Sequence, residues 1–367
     1  MNLLIFARYS NTQASTRMRF SLFRPALTAE GIRTELFSIV ADGTIGGKAK
    51  GILGAYALLK SRINSLLKVQ RKLTHTLPNT LIHVHFEFFP WLPYWLEKSL
   101  LKFAGCKHFS VELDDAWFHR YDNHRFALVR FLLGKKIDKV MRDATCVIAG
   151  NAYIANRAHA AGARRVEIVP TVVDTDRYLI GKPSLSLTQD RSQDELPVVG
   201  WIGTPSTTQF LRGIEDVIQE LHTKKIARFV AFGADARQLT DLPISVIPWD
   251  ESAEISTLYG FDIGIMPLRD SLFERGKCGY KLIQYMACGL PAVASPVGVN
   301  STIVVQGESG YLASTSGEWV TYLTLLCNNA ALRNKLGKVG LLRAAQHYSL
   351  NVTSPKIVAI FQSLDRN

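Results

Sequence analysis

Residues 272–300 read LFERGKCGYKLIQYMACGLPAVASPVGVN. A polar, glycine-bearing loop, Glu274 to Gly279, runs into a short helix expected over about Tyr280 to Cys288. Gly289 and Pro291 stop that helix, an apolar strand AVAS follows at once, and Pro296 to Asn300 make a second glycine turn. An α/β domain presents backbone N–H groups to an anion in this way. Gly279 permits close approach, the helix amino terminus carries partial positive charge, and Arg275, Lys277 and Lys281 add three formal charges at that end. Two readings fit the stretch by itself: a phosphate or diphosphate seat, and an ordinary helix–strand unit with solvated lysines.

The segments before it repeat the same grammar. PVVGWIG (197–203) is a strand, and GTPSTTQ (203–209) is a small-residue loop entering a helix, a second candidate anion cradle. IARFVAFG (226–233), ISVIPW (244–249) and FDIGIMPL (261–268) are further strands with helices between them. After the opening stretch come a strand at YLAS, a helix over about 317–347 and a final amphipathic helix over 351–366.

The amino-terminal half is built likewise. NLLIFA (2–7) is a buried first strand, followed by a polar loop with Ser15, Arg17 and Arg19, a helix over about 16–30 ending at Gly31, and the strand RTELFSIV (33–40). Strand, loop, helix, strand is a βαβ unit, and its loop lies at the carboxyl end of the first strand, where doubly wound sheets bind ligands. LIHVHFE (81–87), HFSVELDD (108–115), TCVIAG (145–150) and VEIVPT (166–171) are the remaining strands. His85 and Glu87 fall near one carboxyl end, and Asp114 and Asp115 at another. His83 and His85 share a face, but no third metal ligand is evident beside them.

A chain of 367 residues is long for one α/β sandwich, so two domains are expected. The boundaries read as 1–178, a Ser-, Asp- and Gln-rich linker at 179–196, a second domain at 197–350, and a helix at 351–367 placed to pack back on the first domain. No apolar run reaches membrane-spanning length, and NLLIFA is too short and lacks a basic flank for a signal peptide, so a cytoplasmic protein is expected. Five cysteines without a CxxC fit free thiols.

The net charge of +12 is unevenly placed: residues 1–180 hold 26 Lys and Arg against 14 Asp and Glu, whereas residues 181–367 hold 17 of each. The excess implies an anionic partner for the first half. Residues 45–74 contain Lys48, Lys50, Lys60, Arg62, Lys68, Arg71 and Lys72 and no acid, with Leu58, Leu59, Ile63, Leu66, Leu67 and Leu73 at helical spacing. That pattern suits an anionic membrane surface, and equally a helix packed on the sheet with a solvated basic face. FFPWLPYW (88–95) adds an aromatic run read either as an interfacial patch or as core. Nucleic acid is disfavoured because the basic segment is leucine-rich without interleaved aromatics.

Seven segments in order give the chain a resemblance: ASTRMR after the first strand, VELDD near 111–115, AGNAYIANRA at 149–158, VPTVVDTDRY at 169–178, GWIGTPST at 200–207, FDIGIMPL at 261–268 and ERGKCGYKLIQYMACGLPAVASPVGVN at 274–300. The chain resembles the retaining glycosyltransferases of family four, with the GT-B architecture of two Rossmann-like doubly wound domains facing an interdomain cleft. The resemblance implies sugar transfer from a nucleotide-sugar to a saccharide or lipid-linked saccharide acceptor with retention, without cofactor or obligatory metal. Bacterial surface polysaccharide biosynthesis and the inner face of the cytoplasmic membrane are the implied setting.

On that resemblance Gly203, Thr204, Ser206, Arg275, Lys277, Gly279, Tyr280 and Lys281 hold the donor diphosphate, Trp249 flanks the base, Gln284 meets the ribose and Glu274 the sugar hydroxyls. Asp114 or Asp115 orients the acceptor, with Ser15, Arg17, Arg19, His85 and Glu87 around it. Two departures stand out. The family's paired glutamates fall here on Gly276 and Gln284, and Asp114 stands where many members have a histidine, as in an LDD variant. A nucleotide-sugar 2-epimerase of the same fold and a non-catalytic sugar-nucleotide or glycan-binding protein are the alternatives.

Overall fold

The computed structural model describes residues 1–40, 51–76, 79–181 and 195–365. The chain divides into two compact units, Met1–Thr171 with Thr353–Asn367, and Val172–Val352. Most of the linker segment expected at 179–196, together with Lys48, Lys50 and the side chain of Arg62, lies outside the described residues.

The first unit holds a parallel sheet of six strands: β1 (Asn2–Ala7), β2 (Arg33–Ser38), β3 (Thr80–His85), β4 (Ser110–Leu113), β5 (Cys146–Ala149) and β6 (Val166–Ile168), in the order β2-β1-β3-β4-β5-β6. The second holds β7 (Val198–Ile202), β8 (Arg228–Phe232), β9 (Ile244–Ile247), β10 (Ile263–Met266), β11 (Ala292–Ala294) and β12 (Gly310–Leu312), in the order β12-β11-β10-β7-β8-β9. Both are doubly wound. The order reverses between β1 and β3 in one sheet and between β7 and β10 in the other, and ligands of such sheets bind beyond the carboxyl ends of the strands at those reversals.

Burial explains the strand sequences. Central strands covered on both faces read as continuous apolar runs: β5 and β7 are buried throughout, whereas the edge strands β2 and β9 alternate. Along β7 successive side chains enter opposite cores. Val198 and Ile202 pack with the helix Tyr280–Ala287, while Val199 and Trp201 pack with the helices Glu215–Thr223 and Ser316–Cys327.

Three elements differ from the sequence expectations. The helix expected over 16–30 is two short helices, Ala14–Arg19 and Arg24–Ala29, joined by a turn at Ser21–Phe23. Pro25 opens the second of these, since it has no N–H to continue the first. The helix expected over 317–347 breaks at Asn328–Asn329, where the Asn329 side chain caps Ala330–His347 by accepting from the Leu332 N–H. Part of the loop expected over 274–279 belongs to a single helical turn, Leu272–Arg275.

The run 88–95 is mostly core: Phe88, Phe89 and Tyr94 are buried, and Trp95 is exposed. The closing helix, Leu350–Asp365, lies largely in the first unit, where Lys356 donates to the Ile168 carbonyl and Ser363 accepts from Arg165. No helix among the described residues is long and apolar enough to cross a membrane. Two concavities of the first unit, of about 400 and 680 Å3, open at the amino ends of its strands, opposite the ends where such sheets bind ligands.

Candidate active site

In the second unit the reversal between β7 and β10 is a real gap. The two strands pair only at Ile263–Val199 and Gly264–Gly200, then splay. Tyr285 fills the crevice: its hydroxyl accepts from the Ile202 N–H at 3.0 Å and donates to the Ile265 carbonyl at 3.1 Å. The helix carrying Tyr285 is thereby fixed with its amino terminus beside the loop that leaves β7. Gly279 caps that helix in the left-handed region, φ +66°, and any Cβ there would strike Ile303. Only glycine meets both conditions.

Lys281, in the first turn of the helix, reaches over the sheet. Its ammonium lies 4.1 Å from the centroid of the Trp201 ring and 2.9 Å from where a Cβ on Gly203 would stand. A side chain at 203 would also strike Trp201. Among the described residues no carboxylate pairs with Lys281. Burial, then the nearby Lys277, pulls its pKa down to about 7. Lys277 itself lies over Phe273 at 5.2 Å and Phe210 at 6.0 Å. The exposed loop after Gly203 is held by its own bonds: the Thr204 N–H donates to the Thr207 hydroxyl, and the Thr204 and Ser206 hydroxyls are 3.0 Å apart. Two lysines, a helix amino terminus and a hydroxyl-bearing loop thus converge at the sheet's ligand end.

Two expected donor residues are engaged by protein partners, and one of them needs correction. The exposed Arg275 guanidinium is paired with the exposed Asp270 at 2.6 and 2.9 Å. Gln284 does not offer its amide to a ribose: it is buried, and its Nε2 donates to the Tyr178 hydroxyl at 3.0 Å and to Glu254 at 2.9 Å. Glu254 also accepts from the Trp249 indole at 3.3 Å, so Trp249 and Gln284 are joined through a carboxylate that the sequence reading passed over. Glu274 accepts a hydrogen bond from the Ser271 hydroxyl across the turn Leu272–Arg275.

In the first unit, the carboxyl ends of β1, β3 and β4 bring Ser15, His85 and Asp114 together. His85 Nε2 lies 2.8 Å from Asp114, and Ser15 hydrogen-bonds the same carboxylate. Burial alone would raise the Asp114 pKa, but His85 above all, with Arg19 and Ser15, holds it below the usual carboxylate range. Asp115 is half-buried beside it, and its carbonyl accepts from the Trp117 N–H. Arg17 donates to the carbonyls of Asn11 and Thr12 and braces the loop it follows.

Glu87 and Arg19 are corrected from acceptor contacts to buried framework. Glu87 is fully buried and accepts from Arg8 at 2.9 Å, Trp117 at 3.1 Å and Tyr121 at 2.8 Å, with the Lys136 ammonium at 2.6 Å. Burial would raise its pKa; Lys136 and Arg8 outweigh that and lower it. Glu97, on the other side of Lys136 at 2.9 Å, is pushed up by burial. Arg19 is buried against Glu112 and donates to the Val169 carbonyl. Both side chains are buried among protein partners. His83 is likewise internal, between Ser110 at 2.8 Å and Glu112 at 3.0 Å.

Residues 197–329 match the family model described as glycosyl transferases group 1. The matched span lies in the second unit and includes Gly203, Trp249, Glu254, Lys277, Lys281 and Gln284. No curated protein matches the chain. Solved structures match along its whole length. HepE from Anabaena, in complex with UDP, is 16% identical with a TM-score of 0.69, covering 99% of this chain and 100% of that one. Sucrose-phosphate synthase from Thermosynechococcus elongatus is 14% identical with a TM-score of 0.71, covering 99% and 98%. An α,α-trehalose-phosphate synthase (UDP-forming) from Burkholderia vietnamiensis is 12% identical with a TM-score of 0.63, covering 99% and 100%. The fold is the GT-B glycosyltransferase fold.

Three site residues escaped the sequence reading. Trp201 looked like one more apolar strand residue, and only the helix packing places it under Lys281. Tyr178 and Glu254 are 106 and 30 residues from Gln284. Glu254 lies in WDESAE, an acidic loop of the ordinary solvated kind.

Proposed function

We propose that the chain is a retaining glycosyltransferase that moves a sugar from a nucleotide-sugar to a saccharide or lipid-linked saccharide acceptor, in bacterial surface polysaccharide biosynthesis. One observation carries the donor reading: the Lys281 ammonium, without a carboxylate partner among the described residues, beside Gly203 at the β7–β10 reversal. A diphosphate supplies the missing negative charge. HepE, of the same fold, is described in complexes with UDP and with UDP-glucose, which makes uridine-linked sugars the first donors to try.

In the proposed reaction the bond from the anomeric carbon to the donor phosphate oxygen breaks, and a bond to the acceptor hydroxyl forms on the same face. The hydroxyl proton passes to the departing phosphate oxygen, and the nucleoside diphosphate leaves. Lys281, Lys277 and the N–H groups around Gly279 and Tyr280 stabilise the charge that develops on the leaving group, with Thr204 and Ser206 as hydroxyl donors. Glu274 meets the sugar hydroxyls, and Glu254, steadied by Gln284 and Trp249, faces the nucleoside side. Asp114, kept ionised and oriented by His85 and Ser15, aligns the acceptor with Asp115. No metal or cofactor enters this scheme.

A basic first unit suits an acceptor held at the inner face of the cytoplasmic membrane. The helix Gly51–Thr74 buries Val69 and Leu73 and exposes Ile63 and Leu67 among Lys60, Lys68 and Arg71, so within 45–74 both the packing and the surface reading find residues. The test is a screen of UDP-, GDP- and ADP-sugars by thermal shift, since a ligand of the folded state raises its stability by mass action, followed by transfer to saccharide acceptors. No stabilisation and no release of nucleotide with any of them would remove the proposal.

A further inference from the structure

A different surface of the first unit shows a feature that sugar transfer does not use. After β4 the chain makes an excursion at the sheet's ligand end, through helices His119–Asp122 and Ala127–Leu133, before the helix Lys136–Asp143 returns it towards β5. Within this excursion Phe131 is 85% exposed, Leu128 68%, Phe126 55% and Leu132 48%. Leu128, Phe131 and Leu132 stand at i, i+3 and i+4, so they share one helix face. The opposite side is anchored by Leu133, which is buried, and Val129, which packs on the core. Single exposed apolar residues are ordinary; four within seven positions form a patch that marks a contact surface.

The charges around the patch identify what it meets. From Asn123 to Ile137 there is no Asp or Glu. Arg125 lies over the Phe126 ring at 4.5 Å, and Arg130 donates to the carbonyls of His124 and Arg125. Both arginines are exposed, and neither pairs with a carboxylate among the described residues. Lys135, also exposed, adds a third cation, 3.5 Å from Asp138. A second copy of this chain is a poor occupant, because a two-fold contact sets the same patch against itself and brings these cations together. An anionic bilayer satisfies both features: the apolar side chains enter the acyl boundary while the guanidinium groups meet lipid phosphates.

We propose that Phe126, Leu128, Phe131 and Leu132, ringed by Arg125, Arg130 and Lys135, dock the first unit on an anionic lipid surface. The site shares no residue with the basic helix Gly51–Thr74. Asp114 directly follows β4, at the start of the same excursion, so docking here holds the Ser15–Asp114–His85 cluster at the membrane. That consequence for a lipid-linked acceptor rests on the glycosyltransferase reading; the docking itself does not.

The experiment is co-sedimentation of the full chain with vesicles of phosphatidylcholine alone and with vesicles of equal parts phosphatidylcholine and phosphatidylglycerol. Wild type is expected to pellet with the anionic vesicles and stay in solution with the neutral ones. Leu128→Ser with Phe131→Ser is expected to weaken vesicle binding at least about tenfold, and Arg125→Glu with Arg130→Glu to abolish the preference for anionic lipid. These side chains are exposed, so Tm should not change, and Leu342→Ser, at an exposed apolar position of the second unit, should bind as wild type does. Equal sedimentation of wild type and the Leu128/Phe131 variant would overturn the proposal. So would wild type that ignores anionic vesicles, or a wild-type dimer that the same variant turns into monomer. Nucleotide binding by the same preparations reports the donor reading independently.

Discussion

Lys281 holds its ammonium 4.1 Å above the Trp201 ring. An aromatic face attracts a cation but does not neutralise it, so the charge stays available at the carboxyl end of β7. Lys281→Ala is expected to lower turnover of the nucleotide-sugar by about a hundred- to a thousand-fold with the fold intact, since among the described residues the ammonium has no carboxylate to leave behind. Steady-state kinetics with circular dichroism as the fold control measure this. Near-normal turnover would sink the diphosphate assignment.

The same lysine sets a pH dependence. Its pKa, pulled down to about 7 by burial and by Lys277, lies well below the ordinary lysine value of about 10.4. A bound diphosphate favours the charged form and raises that pKa. Above about pH 7 binding must therefore take up a proton, and donor affinity falls as pH rises from there; below it the lysine is already charged and this contribution is flat. Calorimetry in two buffers of different ionisation enthalpy should show proton uptake that Lys281→Met removes. Uptake unchanged in the variant would assign it to another group.

Gln284 sits 2.9 Å from Glu254 and 3.0 Å from the Tyr178 hydroxyl. A glutamate there would set two carboxylates against each other in a buried site. Gln284→Glu is expected to cost roughly 1–3 kcal/mol of stability and to gain no activity, whereas Glu254→Gln should keep the fold and weaken donor binding. Urea unfolding and nucleotide titration separate the two effects. A more active Gln284→Glu would show that the ribose is met at 284 after all.

Lys136 carries two buried carboxylates, Glu87 at 2.6 Å and Glu97 at 2.9 Å. Removing the cation leaves Glu87 ionised and buried, so Lys136→Ala should destabilise the first unit by about 3–5 kcal/mol. The folded-state pKa of Glu87 is depressed. Its contribution is therefore present at neutral pH, above the unfolded value, and is lost as pH falls through the folded value. Acid titration of urea stability, compared between wild type and Glu87→Gln, would show the difference; parallel curves would contradict the assignment.

On the proposed reaction Asp114 lies on the acceptor side, and its removal should act on transfer alone. Asp114→Asn keeps the shape and a hydrogen bond to His85 but loses the charge. Transfer to acceptor should fall at least roughly tenfold while nucleotide-sugar affinity is unchanged. A parallel loss of donor affinity would mean the residue acts through the fold.

How far the sequence reached can be seen at particular residues. Apolar runs bounded by glycine and proline locate β1, β7 and β10, because a strand covered on both faces has no polar position to blur it. The helix Tyr280–Ala287 is equally legible from Gly279 and Gly289. Charges were harder. Arg275, Lys281, Arg19 and Glu87 read alike as charged residues near strand or helix ends. Whether a charge is paired depends on partners such as Asp270, Glu112 and Lys136, which arrive from other elements. The exposed patch at Phe126–Leu132 was hidden for the same reason, since six apolar residues interrupted only by Arg130 read as core until one sees what covers them.

The sequence by itself determined two α/β units, the loops at the carboxyl ends of their strands and a net positive charge confined to the first half, because periodicity, turn residues and net charge are local or additive. The tertiary structure alone decided which of those charges are spent. Ion pairing and desolvation act over a few ångströms between residues up to a hundred positions apart. Packing therefore turned Glu87 and Arg19 into framework, put Glu254 between Trp249 and Gln284, and left Lys281 over Trp201 with no carboxylate partner among the described residues.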